Sequence, residues 1–85
     1  MNKKEDDVMH EMTISMGTIE KVKRFVDIVS GYREHIDLVD GNYIVDAKSI
    51  MSIFSMDLTA PILMRVDASD QRFSEIRNEL TEYVA

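Results

Sequence analysis

Cysteine is absent from the 85 residues, which excludes disulfides, thiolate metal ligands and thiol nucleophiles. Proline occurs once, at Pro61. No repeat and no low-complexity linker divides the chain, and its length leaves room for one domain with one core. No apolar run follows the charged start from Met1 to Asp7, so neither a secretion signal nor a membrane span is expected, and the cytoplasm is the expected location. Cations are the minority: 10 Lys and Arg against 16 Asp and Glu give a formal net charge of −6. Such a chain repels a phosphate backbone, which argues against a nucleic-acid partner. The one local cluster of cations, Lys21, Lys23 and Arg24, falls on neighbouring helical positions that point in different directions. No nucleotide-binding loop, metal-ligand cluster or catalytic dyad is present. Neither a cofactor nor a metal is therefore expected, and the chain does not read as an independent enzyme.

What is present is strong patterning in a sequence that is 45% hydrophobic. Residues 1–9 carry charge without a period and are expected to form a flexible N-terminus to a domain over residues 10–85. Met12, Ile14 and Met16 alternate with Glu11, Thr13 and Ser15, which predicts a first strand over 10–16. Gly17 breaks it, and Thr18 is a suitable N-cap for a helix whose apolar stripe is Ile19, Val22, Phe25, Val26 and Val29. Gly31 is expected to end that helix in the left-handed conformation. A second strand is predicted over 32–39, a hairpin turn at Asp40, Gly41 and Asn42, and a third strand over 43–47. Ser49 then stands where a short helix should begin, with the helix expected over 49–55. Pro61 precedes a fourth strand over 62–66. Ser69 and Asp70 are candidate caps for a last helix whose stripe, Phe73, Ile76, Leu80, Tyr83 and Val84, runs to the end. The order is βαββαβα. It predicts an α+β fold in which three helices pack on one face of a four-stranded antiparallel sheet, an open-faced sandwich.

This order, together with Glu11 to Ile14, Arg24 to Val26, Ser30 to Tyr32 and Asp46 to Met51, resembles HPr, the phosphocarrier of the bacterial sugar phosphotransferase system. The resemblance covers residues 11–84. It implies a carrier histidine at the N-terminus of the first helix, where free amides and the helix dipole tolerate a phosphate. Counted back from Phe25, however, the histidine position falls on Thr18, the family's arginine position on Glu20 and its proline position on Lys21. The preceding loop is also shorter than is usual in the family. The chain therefore reads as a divergent member that has lost histidine phosphotransfer. His10 and His35, both at strand starts, lie away from that site; a phosphocarrier working through such an atypical residue is the alternative.

The resemblance keeps a serine, Ser49, that is phosphorylated by a dedicated kinase in many Gram-positive relatives, where the product docks on a transcriptional regulator of sugar metabolism. Here Ser52 and Asp57 replace glycines common in the regulated relatives, so Ser49 also reads simply as a cap. Ile50, Met51 and Phe54 match the family's docking surface, and Ile19 and Lys23 match further contact positions. Large apolar side chains left in water favour recognition, and methionine adapts its shape to a partner. The expectation is a noncatalytic protein-binding or regulatory domain, similar to the HPr-like proteins of catabolite repression that also lack the histidine and keep the serine. Its expected partners are phosphotransferase-system enzymes, a serine kinase or a regulator of sugar metabolism.

Overall fold

The structure, a computed structural model, describes residues 7–85. Most of the expected flexible terminus, residues 1–6, lies outside the described residues. Strand β1 spans Val8–Ile14, helix α1 Ile19–Ser30, β2 Ile36–Asp40, β3 Tyr43–Asp46, α2 Ile50–Ile53, β4 Ile62–Ala68 and α3 Asp70–Glu79, followed by a 3-10 turn at Thr81–Tyr83. The strands form one sheet in the order β1-β4-β2-β3, and every neighbouring pair is antiparallel. This is the α+β architecture that the βαββαβα order predicts. Among the described residues no helix is long and apolar enough to cross a membrane.

The sheet has two unlike faces because its strands alternate. On β4, Ile62, Met64, Val66 and Ala68 are buried, while Leu63, Arg65 and Asp67 are not. Ile14 and Met12 on β1 and Ile36 and Leu38 on β2 continue the buried face. Val22, Phe25 and Val29 of α1, Ile53 of α2 and Ile76 of α3 complete one core against it.

The element boundaries differ from the sequence expectation in ways that have local causes. β1 begins at Val8, two residues before the alternation becomes clear, because Val8 and Met9 pair with Ala68 and Asp67. Its partner β4 is correspondingly longer, reaching Ala68 rather than stopping at Val66. β2 starts at Ile36 instead of residue 32, since the carbonyls before it are engaged by a lysine side chain described below. Gly31 is right-handed, at φ −75, and not left-handed as expected. The amides of Gly31 and Tyr32 instead bond the carbonyls of Ile28 and Val29, both at 3.1 Å, and so close the last turn. Within the hairpin only Gly41 has positive φ, at 61; Asn42 does not share it.

The last helix also stops early. After Glu79 the chain leaves α3 at Leu80 and tightens into the 3-10 turn, which turns Tyr83 fully into the core. The Tyr83 hydroxyl donates to the Lys21 carbonyl at 2.9 Å, and its ring meets Phe25 edge-on at 5.6 Å between centroids. The Tyr83 carbonyl accepts from the Ser15 amide at 2.7 Å, and the Ala85 amide donates to Thr13 at 3.1 Å. The chain end thereby ties the exit of β1 to the first turn of α1, the region that leads to Thr18.

Candidate functional site

The first candidate region is the N-terminus of α1. Gly17, at φ 99, makes the turn out of β1, a conformation that side-chain-bearing residues rarely adopt. Thr18 follows in extended geometry, and its Oγ1 accepts from the Lys21 amide at 3.1 Å. It is the N-cap that the sequence predicts. That hydroxyl occupies an amide that an incoming anion would need. Glu20, exposed in the first turn, favours the helix dipole but repels a phosphate. The Lys21 ammonium lies 5.7 Å over the Tyr83 ring. The turn thus brings together a capping hydroxyl, an exposed carboxylate and a lysine held over an aromatic ring.

Neither histidine lies close to this turn. His10 sits four residues before the end of β1, a span of roughly 13 Å of extended chain. Its ring stacks on Phe73 at 4.4 Å, and its Nε2 is 3.1 Å from the Ala68 carbonyl and 3.4 Å from Asp70 Oδ1. The side chain is 16% exposed. His35 is open to water just before β2, with Nε2 2.9 Å from Asp37 Oδ1. Each imidazole thus has its own acceptor at the far end of the sheet from Thr18.

The second region is the start of α2. The Asp46 side chain accepts from the Lys48 amide at 2.9 Å, and its carbonyl accepts from the Ser49 amide at 3.0 Å, turning the chain out of β3. Lys48 Nζ then donates to the carbonyls of Tyr32 and Glu34, at 2.6 and 2.9 Å. One ammonium therefore fixes the loop after α1 against the turn that presents Ser49. Ser49 occupies the N-cap position by its backbone, with its carbonyl accepting from the Ile53 amide at 3.1 Å. Its side chain does not cap, contrary to expectation: the hydroxyl donates to Ser52 Oγ at 3.0 Å instead. Regular helix is limited to Ile50–Ile53 rather than 49–55, and i+3 bonds from Ser55 to Ser52 and from Met56 to Ile53 finish the turn.

The apolar candidates divide between core and surface. Met51 is 76% exposed, Ile19 57% and Phe54 39%, while Ile50 is half-buried against the core. Lys23 is exposed on α1. Ile53 is fully buried and anchors α2. The two helices pack against each other, so Ile19 and Lys23 on α1 lie on neighbouring elements to Met51 and Phe54. Sequence reasoning did not single out Tyr43, whose exposed ring belongs beside this face through a 2.5 Å contact between its hydroxyl and that of Ser55. Strand periodicity alone carries no signal for that contact.

Behind Lys48, the loop after α1 is held by α3. Arg72 Nε donates to Glu34 at 2.9 Å and its Nη1 to Glu75 at 3.0 Å, while the guanidinium lies 5.1 Å over the Tyr32 ring. The Tyr32 hydroxyl donates to Glu79 at 2.8 Å. Burial, and then the Glu79 bond and charge, push the Tyr32 phenol up to about 12. Burial also works to raise Glu34, but the Arg72 hydrogen bond, a backbone hydrogen bond and the nearby arginines together outweigh it and bring the carboxyl below its ordinary value. Because the folded pKa is depressed, this contribution to stability is complete above the unfolded carboxyl value. It is lost as pH falls through the folded one.

No protein-family model and no curated protein matches the sequence. Solved structures do match the fold. The phosphocarrier protein HPr from Bacillus anthracis str. Ames aligns with a TM-score of 0.70 and 24% identity over 93% of this chain and 98% of that one. HPr-C-His from Thermoanaerobacter tengcongensis aligns with a TM-score of 0.65 and 24% identity over 89% of this chain and 90% of that one. The chain thus has the fold of the HPr phosphocarrier proteins, as its order of elements implies.

The Arg72 clamp generates a pH-dependent expectation. Arg72→Gln should lower stability at neutral pH, and only modestly, because the pair is partly exposed. The loss should shrink as pH falls through the Glu34 titration, since protonation removes the same interaction in the parent. Urea unfolding of both proteins across the acid range measures this. A deficit that stays constant down to strongly acidic pH would contradict the assignment.

Proposed function

We propose that this chain is an HPr-like protein-binding or regulatory domain, related to the phosphoenolpyruvate-dependent sugar phosphotransferase system, that has no histidine phosphocarrier activity. The observation that carries the reading is the contrast between its two candidate regions. Where a phosphate would be received, the Thr18 hydroxyl already accepts from the Lys21 amide and Glu20 adds a negative charge. Beside it, Met51, Ile19 and Phe54 leave large apolar side chains in water. Met51 and Phe54 are the anchors of the proposed docking face, Ile19 and Lys23 flank it, and the half-buried Ile50 supports it. The partners this face suits are enzymes or regulators of the phosphotransferase system.

Ser49 is the candidate regulatory phosphorylation site within that face. A phosphate there would replace the bond to Ser52 and add about two negative charges next to the docking residues. The nearest lysine, Lys48, already donates to two carbonyls, so it is not a free counter-ion for that phosphate. Docking, rather than modification, is therefore the primary role in this account.

Titration of the isotopically labelled chain with the general phosphotransferase enzyme tests docking by NMR. Shifts or broadening should centre on Ile19, Met51 and Phe54, and Met51→Asp should weaken binding by about tenfold or more, the effect of losing a central apolar anchor. A response elsewhere, or none, would count against the proposed face. For Ser49, treatment with the serine kinase and ATP should add the mass of one phosphate, and Ser49→Ala should abolish the addition. An unchanged mass in the parent, or an addition that survives the substitution, rules the site out.

A further inference from the structure

The sheet face turned away from the helices carries two stripes that the docking face on α1 and α2 does not use. Strand register aligns Thr13, Leu63, Val39 and Ile44 in one row across β1, β4, β2 and β3. It aligns Glu11, Arg65, Asp37 and Asp46 in the next. The rows are two residues apart along each strand, about 7 Å. The first row is largely apolar: Ile44 is 54% exposed, and Leu63 and Val39 are half-buried on the side away from the described helices. The second row holds three carboxylates and one guanidinium.

The charges in that row are unevenly matched. Arg65 Nε donates to Glu11 at 3.0 Å, which commits the only cation of the row to one end. Asp37 and Asp46 face each other directly across β2 and β3, a like-charge pairing that opposes sheet formation. Among the described residues, Asp37 faces Arg65 across β2 and β4 without an ion pair to it and has the exposed His35 2.9 Å away, and Asp46 accepts from a backbone amide. Lys48, the nearest lysine in sequence, turns its ammonium to the carbonyls of Tyr32 and Glu34. Among the described residues no lysine or arginine bridges the two carboxylates.

We propose that this open face binds a basic amphipathic segment of a partner protein, with its apolar side chains over Leu63, Val39 and Ile44 and its lysines or arginines against Asp37 and Asp46. The geometry matches such a segment because an apolar row and an acidic row run side by side at one residue-pair spacing. Charge selects the class of occupant. Nucleic acid and anionic lipid would bring phosphates against the acidic row. A second copy would bring the same acids and the same net charge of −6. This face lies on the opposite side of the sheet from the helices that carry Ile19, Met51 and Phe54.

NMR titration of the full labelled chain at low salt, with a synthetic amphipathic leucine–lysine peptide as the probe and its leucine–glutamate counterpart as control, tests the inference. The lysine peptide should give saturable shifts centred on Val39, Ile44, Leu63 and Asp46, and the glutamate peptide none. The double variant Asp37→Asn, Asp46→Asn should weaken binding by about tenfold or more, while an asparagine oxygen at position 46 can still accept from the Lys48 amide and keep the turn. Ile44→Gln, at an exposed position, provides a second arm and should also weaken binding. Shifts centred on α1 and α2, no shifts, or affinity unchanged in the variants would overturn the proposal.

Discussion

The alternation of β4 is the constraint on which the rest of the structure depends. Being hydrogen-bonded to both β1 and β2, this strand sets the register of the sheet from its middle. Its even positions from Ile62 to Ala68 are buried without exception. A one-residue slip would exchange Met64 and Val66 for Arg65 and Asp67 in the core, so burial fixes the pairing firmly. Everything functional follows from that one-sidedness. One face gathers three helices and, with them, the Thr18 turn and the start of α2. The other stays open and displays its own apolar and acidic rows.

On the helical side, two tethers hold the candidate residues in place. The chain end ties β1 to α1 through the Tyr83 hydroxyl and carbonyl. Lys48 ties the loop after α1 to the turn before Ser49. All four of these bonds end on backbone carbonyls, so they restrain the main chain and leave nearby side chains free to be exposed. A turn fixed in this way can present Met51 and Phe54 as a pre-ordered surface, which lowers the entropy cost of binding a partner. The same rigidity does nothing to create a nucleophile at Thr18.

Much of this was legible in the sequence because burial writes a period into it. Met12 and Ile14, Val22, Phe25 and Val29 of the α1 stripe and the cap at Thr18 report local geometry and are found where the pattern puts them, whereas Ile19, on the same stripe in the sequence, is 57% exposed in the first turn. What was not legible depends on residues distant in sequence. That β2 starts only at Ile36 reflects Lys48, twelve or more residues further on, taking the carbonyls of Tyr32 and Glu34. Tyr83 fits a helical stripe, yet it is reached through a 3-10 turn because its hydroxyl and carbonyl have partners on α1 and after β1. Ser49 sits at a cap position, but a second serine three residues on competes for its hydroxyl. The stacking of His10 on Phe73 joins residues from opposite ends of the chain, and no local pattern announces it.

The central claim is that the HPr fold here is used for binding without carrying phosphate on a histidine. Incubation with the general phosphotransferase enzyme, phosphoenolpyruvate and magnesium, followed by assay for acid-labile phosphate, tests it most directly. The account predicts that the chain takes up none. Stoichiometric phosphate on His10 or His35 would contradict it.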